Sequence, residues 1–102
     1  MIRYRVAIAA TLLLVAIEAS PQARNTGRDI AAGCASCHAQ HIALGKIPSL
    51  AGVGKAQLVT RLIEFKSGRR AGTVMPQLAK GYTDEQIELA AAWLSSEEAR
   101  HE

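Results

Sequence analysis

Cys34-Ala35-Ser36-Cys37-His38 is the stretch on which the reading of this chain turns. Two thiols separated by two residues, close to a helix end, reach the two vinyl groups of one porphyrin and form thioethers. His38 then falls beneath the iron, where its imidazole becomes the proximal axial ligand. The pattern therefore predicts one haem c, covalent through Cys34 and Cys37, and with it a role in moving electrons.

Three other readings of the same five residues are weaker. A redox-active dithiol is expected beside a βαβ pattern, which this chain does not supply. Zinc needs four ligands, and only His41 and His101 remain to complete Cys34, Cys37 and one histidine. A structural disulfide closing so short a loop would restrict the unfolded chain little.

Toward the N-terminus, Arg3 and Arg5 form a basic region, Val6 to Ile17 is an apolar run broken only by Thr11, and Ala19 suits a cleavage site. The expected organisation is a signal peptide over 1–19 and a single monohaem domain over 20–102. An uncleaved anchor is the alternative, but the run is shorter than the ~20 residues that a spanning helix needs. Export to a bacterial periplasm agrees with the motif, since c-type haem is attached outside the cytoplasm, and no membrane span is expected after cleavage. The net charge of +3 over 102 residues owes something to Arg3 and Arg5.

A domain of this size is near the limit at which an apolar core alone supports folding. Beyond the signal segment its aromatics are Phe65, Tyr82 and Trp93, among many alanines. A haem would supply the missing apolar bulk.

Three helices are expected, with no strand-like alternation and no internal repeat, so the class is all-α. The first runs from about Gly27 to Ala35 with Asn25 or Thr26 as N-cap. Gly27 and Gly33 cost it stability relative to alanine, which points to close approach of a backbone or of the porphyrin. The second spans about 55–67, with Leu58, Leu62 and Phe65 on one face, Val59 and Ile63 beside them, and Gly68 as its stop. The third starts at Thr83, which forms a capping box with Gln86, while Tyr82 and Ile87 fit a hydrophobic staple. Ile87, Ala90, Ala91 and Leu94 make its inner stripe, with Trp93 on the edge, and Ser95 to Glu102 is read as a polar, fraying end.

Met75 is the one methionine outside the signal segment, in a stretch between Gly68 and Thr83 that is expected to be a loop. Its thioether is the candidate sixth ligand, on the open face of the haem. The competing reading is a gap-filling core residue, the commoner role of methionine. His41 follows His38 too closely to cross to the distal face, and His101 lies on the terminal tail, so both are read as surface histidines. A histidine and a methionine together close the iron and imply one-electron cycling between ferrous and ferric states.

These residues resemble a class I c-type cytochrome over the span from Gly27 to about Ser96. Beside the haem motif, the segments Ile47-Pro48-Ser49-Leu50-Ala51-Gly52, Phe65-Lys66-Ser67-Gly68 and Ala79-Lys80-Gly81-Tyr82-Thr83-Asp84, with Met75, are similar to the short monohaem domains of the cytochrome c4 and c553 type, and above all to the haem domain of flavocytochrome c sulfide dehydrogenase. The resemblance implies a small fold of three main helices wrapped around one haem. It implies that Pro48 offers its carbonyl to the ring N–H of His38, and that the first and last helices cross near Gly27, Ile30 and Trp93. Ile30 stands where the family often has an aromatic residue. A diheme arrangement would need another chain.

The resemblance further implies redox partner proteins, a flavoprotein dehydrogenase acting on sulfide and a downstream cytochrome or oxidase. Lys46, Lys55, Arg61, Lys66, Arg69, Arg70 and Lys80 fall between the motif and the last helix, against Glu64 alone. They form either a positive rim for such a partner or a scatter of solvated charges. Nothing supports nucleic-acid binding. The alternative function is a haem-based ligand sensor or small haem enzyme in which Met75 gives way to peroxide or a diatomic gas.

Overall fold

Thr83 sets the start of the helix around which the other elements pack. Its Oγ1 accepts from the Gln86 N–H at 3.1 Å and its own N–H donates to Gln86 Oε1 at 2.9 Å, so the expected capping box is present. Ile87 is buried at the fifth position and Tyr82, just outside, is half-buried, as a staple requires. Thr83→Ala removes one acceptor from this box. It is expected to lower the unfolding free energy by about 1 kcal/mol, read as a lower denaturation midpoint with the absorption spectrum unchanged.

A computed structural model describes residues 21–39, 47–50 and 52–96, and no strand occurs among the described residues. Four helices follow in order: α1, Pro21–His38; α2, Lys55–Ser67; α3, Met75–Ala79; and α4, Asp84–Leu94. The expected signal peptide over 1–19 lies outside the described residues, as do His41, Lys46, Ala51, Glu97, Glu98 and His101.

The first helix is longer than the pattern predicts, at both ends. Thr26 does not cap it; its hydroxyl donates to the Gln22 carbonyl at 3.0 Å, one turn back inside the helix. At the other end the helix runs on through Cys37 to His38.

α2 has the expected bounds, and Gly68 ends it in a left-handed conformation with φ +83°, its N–H reaching the Phe65 carbonyl. That angle is one glycine adopts without the Cβ penalty. The short helix α3 was not legible as a pattern, because five residues give no period, and Pro76 in its first turn reads equally well as a loop residue. Met75 is thus the first residue of a helix rather than part of a loop.

α4 is the hub. α1 and α2 both pack on it, α3 packs on α2, and α1 contacts neither α2 nor α3. The crossing of α1 on α4 depends on small residues: a Cβ added at Gly27 would lie 2.4 Å from the Leu89 carbonyl oxygen. Ala31, Ala90 and Ala91 are buried around it. Gly33 has no protein atom within 4 Å of such a Cβ among the described residues, so only Gly27 answers the expectation of a backbone contact. Among the described residues the buried apolar set is Ala31, Leu58, Ala79, Ile87, Ala90 and Ala91, small residues for the most part.

Two ion pairs link α2 to α4, Lys66–Asp84 at 2.8 Å and Lys55–Glu88 at 3.4 Å. Being exposed, they fix alignment more than they stabilise.

Candidate functional site

The last turn of α1 sets Cys34 and Cys37 three residues apart, which places both thiols on neighbouring positions of one helix face. Cys34 is half-buried with Sγ 3.6 Å from the Ile30 carbonyl, whereas Cys37 is exposed. Burial pushes the Cys34 thiol above its ordinary pKa, its backbone hydrogen bond opposing the shift. No disulfide joins the two.

His38 closes the helix. Its Nδ1 lies 2.7 Å from the Pro48 carbonyl oxygen, the contact the resemblance implied. With Nδ1–H donating to that carbonyl, the ring carries its free lone pair on Nε2, the form in which a neutral imidazole binds a metal. The Leu50 N–H donates to the His38 carbonyl at 3.4 Å, so the returning segment is fastened at two points beside the ring.

Met75 opens α3 and is half-buried. Around it, Val74 is 60 % and Leu78 53 % exposed, and Ile47, next to Pro48, is 40 % exposed. The helix bearing two thiols and an imidazole and the helix bearing the thioether do not touch each other; each is joined to the rest through α4 or α2. A flat apolar macrocycle fits this donor set: thiols for two vinyl groups, one imidazole nitrogen and one thioether sulfur for iron. Among the described residues no group of three or more His, Cys, Asp or Glu could hold a bare metal ion.

The charge distribution differs from its order along the chain. Lys66 and Lys55 pair with Asp84 and Glu88 of α4, and Arg70 pairs with Glu64 at 2.8 Å. The helices fold acids from beyond the motif region back onto its bases, so a continuous positive rim does not form from all of these residues. Arg61, Arg69 and Lys80 are exposed.

One part of the site was missed. The segment after Gly68 is tied to α2: the Arg70 guanidinium bonds to Glu64 and lies 5.7 Å over the Phe65 ring. Phe65 and Pro76 flank Gly72 at 3.1 Å each from a built Cβ. The only sequence signal was Glu64 and Arg70 on either side of the helix stop, a spacing that belongs to no regular element.

No protein-family model matches the chain. Curated relatives do. The cytochrome subunit of sulfide dehydrogenase of Chlorobaculum tepidum is 38 % identical over 77 residues, 74 % of this chain and 70 % of that protein. The thiosulfate dehydrogenase electron acceptor of Stutzerimonas stutzeri is 33 % identical over 65 % of this chain, and the alignment spans 32 % of that protein. Cytochrome c-552 of Acidithiobacillus ferridurans is 38 % identical over 62 % of this chain and 28 % of its own length. No helix among the described residues is long and apolar enough to cross a membrane.

Proposed function

The chain belongs to the small c-type cytochromes related to the cytochrome subunit of sulfide dehydrogenase, and from that premise we propose that it is a periplasmic monohaem electron carrier, reduced by a flavoprotein dehydrogenase, with sulfide as the preferred primary donor. Residues 1–19 are its signal peptide and 20–102 its single domain. One haem is held covalently through Cys34 and Cys37, with His38 and Met75 as the axial ligands.

The observation that carries this reading is His38, directly after the two thiols, with Nδ1 bound to the Pro48 carbonyl at 2.7 Å. The bound haem supplies one-electron cycling of its iron between Fe(III) and Fe(II). The chain's own residues do the rest. Pro48 fixes the plane and tautomer of His38, and the donated hydrogen bond raises the basicity of Nε2. Met75 presents a soft sulfur that favours the reduced iron. Ile47, Val74 and Leu78 offer apolar surface that keeps water from the macrocycle, which favours the less charged ferrous site in the same direction.

The test is anaerobic mixing of the oxidised protein with a flavoprotein sulfide dehydrogenase subunit and sulfide. The expected result is full appearance of the ferrous bands on the timescale of flavin turnover, and no binding of carbon monoxide to the reduced protein. Slow reduction that is indifferent to the flavoprotein would remove the partner. A high-spin spectrum with rapid carbon monoxide binding would replace the carrier by the ligand sensor.

A further inference from the structure

We propose that Glu64 and Arg70 form a positioning clamp that holds Met75 at the iron, acting through Phe65, Gly72 and Pro76. The inference rests on the reading of Met75 as the sixth ligand. Neither Glu64 nor Arg70 touches the haem in this scheme; both are positioning residues.

α3 has five residues, fewer than a helix needs to hold itself together. The placement of its first residue must come from outside. It packs on α2 and on neither α1 nor α4, and the chain between α2 and α3 is fastened at residue 70. There Nε and Nη2 of Arg70 both reach Glu64 Oε2 at 2.8 Å, and the Arg70 N–H donates to the Glu64 carbonyl at 3.2 Å. The guanidinium also lies over the Phe65 ring. Three attachments to adjacent residues of α2 thus fix one residue of the connection.

Two residues on, the chain passes between two rings. A Cβ at Gly72 would stand 3.1 Å from Phe65 Cε1 and 3.1 Å from Pro76 Cδ, tighter than ordinary van der Waals contact, so the segment lies close against both rings. Pro76 is bonded to Met75 and sets the first turn of α3. Contact therefore runs without a break from Glu64 to Arg70 and Phe65, then to Gly72, Pro76 and the methionine.

The Glu64 and Arg70 side chains are 30 % and 44 % exposed, so their pair adds little to global stability. Its effect falls on the local equilibrium in which the methionine segment lifts away, since such segments open at far lower cost than the whole fold.

Glu64→Gln and Arg70→Gln are compared with the wild-type holoprotein and with Met75→Ala by three measurements. These are the far-red sulfur-to-iron charge-transfer band, the affinity of the ferric protein for added imidazole, which competes with Met75, and the chemical denaturation midpoint. Each single variant is expected to bind imidazole roughly three- to fivefold more tightly, the size of losing one exposed ion pair, with a midpoint shift no larger than that same free energy. The double variant should be no worse than either single one, and the exchanged pair Glu64→Arg with Arg70→Glu should recover part of the loss. Unchanged imidazole affinity, or an equal change in Lys55→Gln, which breaks the similarly exposed Lys55–Glu88 pair instead, overturns the clamp. A wild-type protein without the far-red band, with Met75→Ala spectrally identical to it, overturns the ligand instead, a result the clamp variants cannot imitate.

Discussion

Cys34→Ala/Cys37→Ala, expressed in a host competent for haem attachment, is expected to yield a protein that carries no covalent haem and is largely unfolded. Two independent lines lead to this result. Removing both thiols leaves no group on the chain that can form a thioether to the porphyrin, so a haem stain after denaturing electrophoresis should fall to background. The second line is the core. Among the described residues the buried apolar ones are Leu58 and Ile87 with four alanines, and Ile87 is the largest of their fully buried side chains. Burying an alanine removes far less apolar surface than burying leucine or phenylalanine, and each large side chain contributes only about 1.5–3 kcal/mol. Against this stands an ordering cost of about 1.5 kcal/mol per residue. So slight a core cannot offset that cost by itself, and the apolar surfaces of Ile47, Val74 and Leu78 remain in water unless the macrocycle covers them. Far-ultraviolet circular dichroism of the double variant should therefore show a large loss of helix. A variant that stays red through denaturing electrophoresis, or colourless protein with native helix content, would refute the covalent attachment or the haem's structural role respectively.

The parts legible in the sequence were those written in local chemistry. Thr83 and Gln86 could be matched as a capping box because the partners lie one turn apart, and Gly68 could be recognised as a stop because glycine is the residue that tolerates a left-handed cap. Leu58 was identified as core from its place on a helical stripe, and it is buried. The contact of Pro48 with His38 was expected from resemblance alone, since ten residues of intervening chain conceal any such pairing from a local pattern. What sequence did not disclose depends on tertiary placement. Thr26 offered itself as a cap, but a hydroxyl that can bond back to Gln22 is equally at home inside a helix. α3 was hidden because its helical turn is held by α2 rather than by its own propensity. Glu88 and Asp84 lie far from Lys55 and Lys66 along the chain, and only the packing of α4 on α2 brings them together. Gly27 and Gly33 looked alike in sequence, and only the helix crossing tells them apart.

That difference gives the second large effect, at Gly27. Replacing a helix-interior glycine by alanine ordinarily stabilises a helix by about 1 kcal/mol. At Gly27 the sign should reverse, because the added Cβ would lie 2.4 Å from the Leu89 oxygen and 2.9 Å from its carbonyl carbon. These are backbone atoms within α4, and they cannot rotate aside as a side-chain tip does. The helices must move apart, which opens the contact that buries Ala31, Ala90 and Ala91. Overpacking of this kind costs about 1–3 kcal/mol, occasionally more, and Gly27→Val should exceed Gly27→Ala because its branched carbons add bulk at the same point. For a domain of this size each kcal/mol lowers Tm by roughly 4–8 °C, so Gly27→Val should melt on the order of 15 °C below the wild type. Gly33→Ala is the internal comparison, since it makes the same change in the same helix with no atom of the described residues within 4 Å. Thermal melts of the three holoproteins decide the matter. If Gly27→Ala proves as stable as wild type or more so, α1 and α4 do not approach backbone to backbone at this point, and the arrangement that carries His38 toward its place in the site would have to be redrawn.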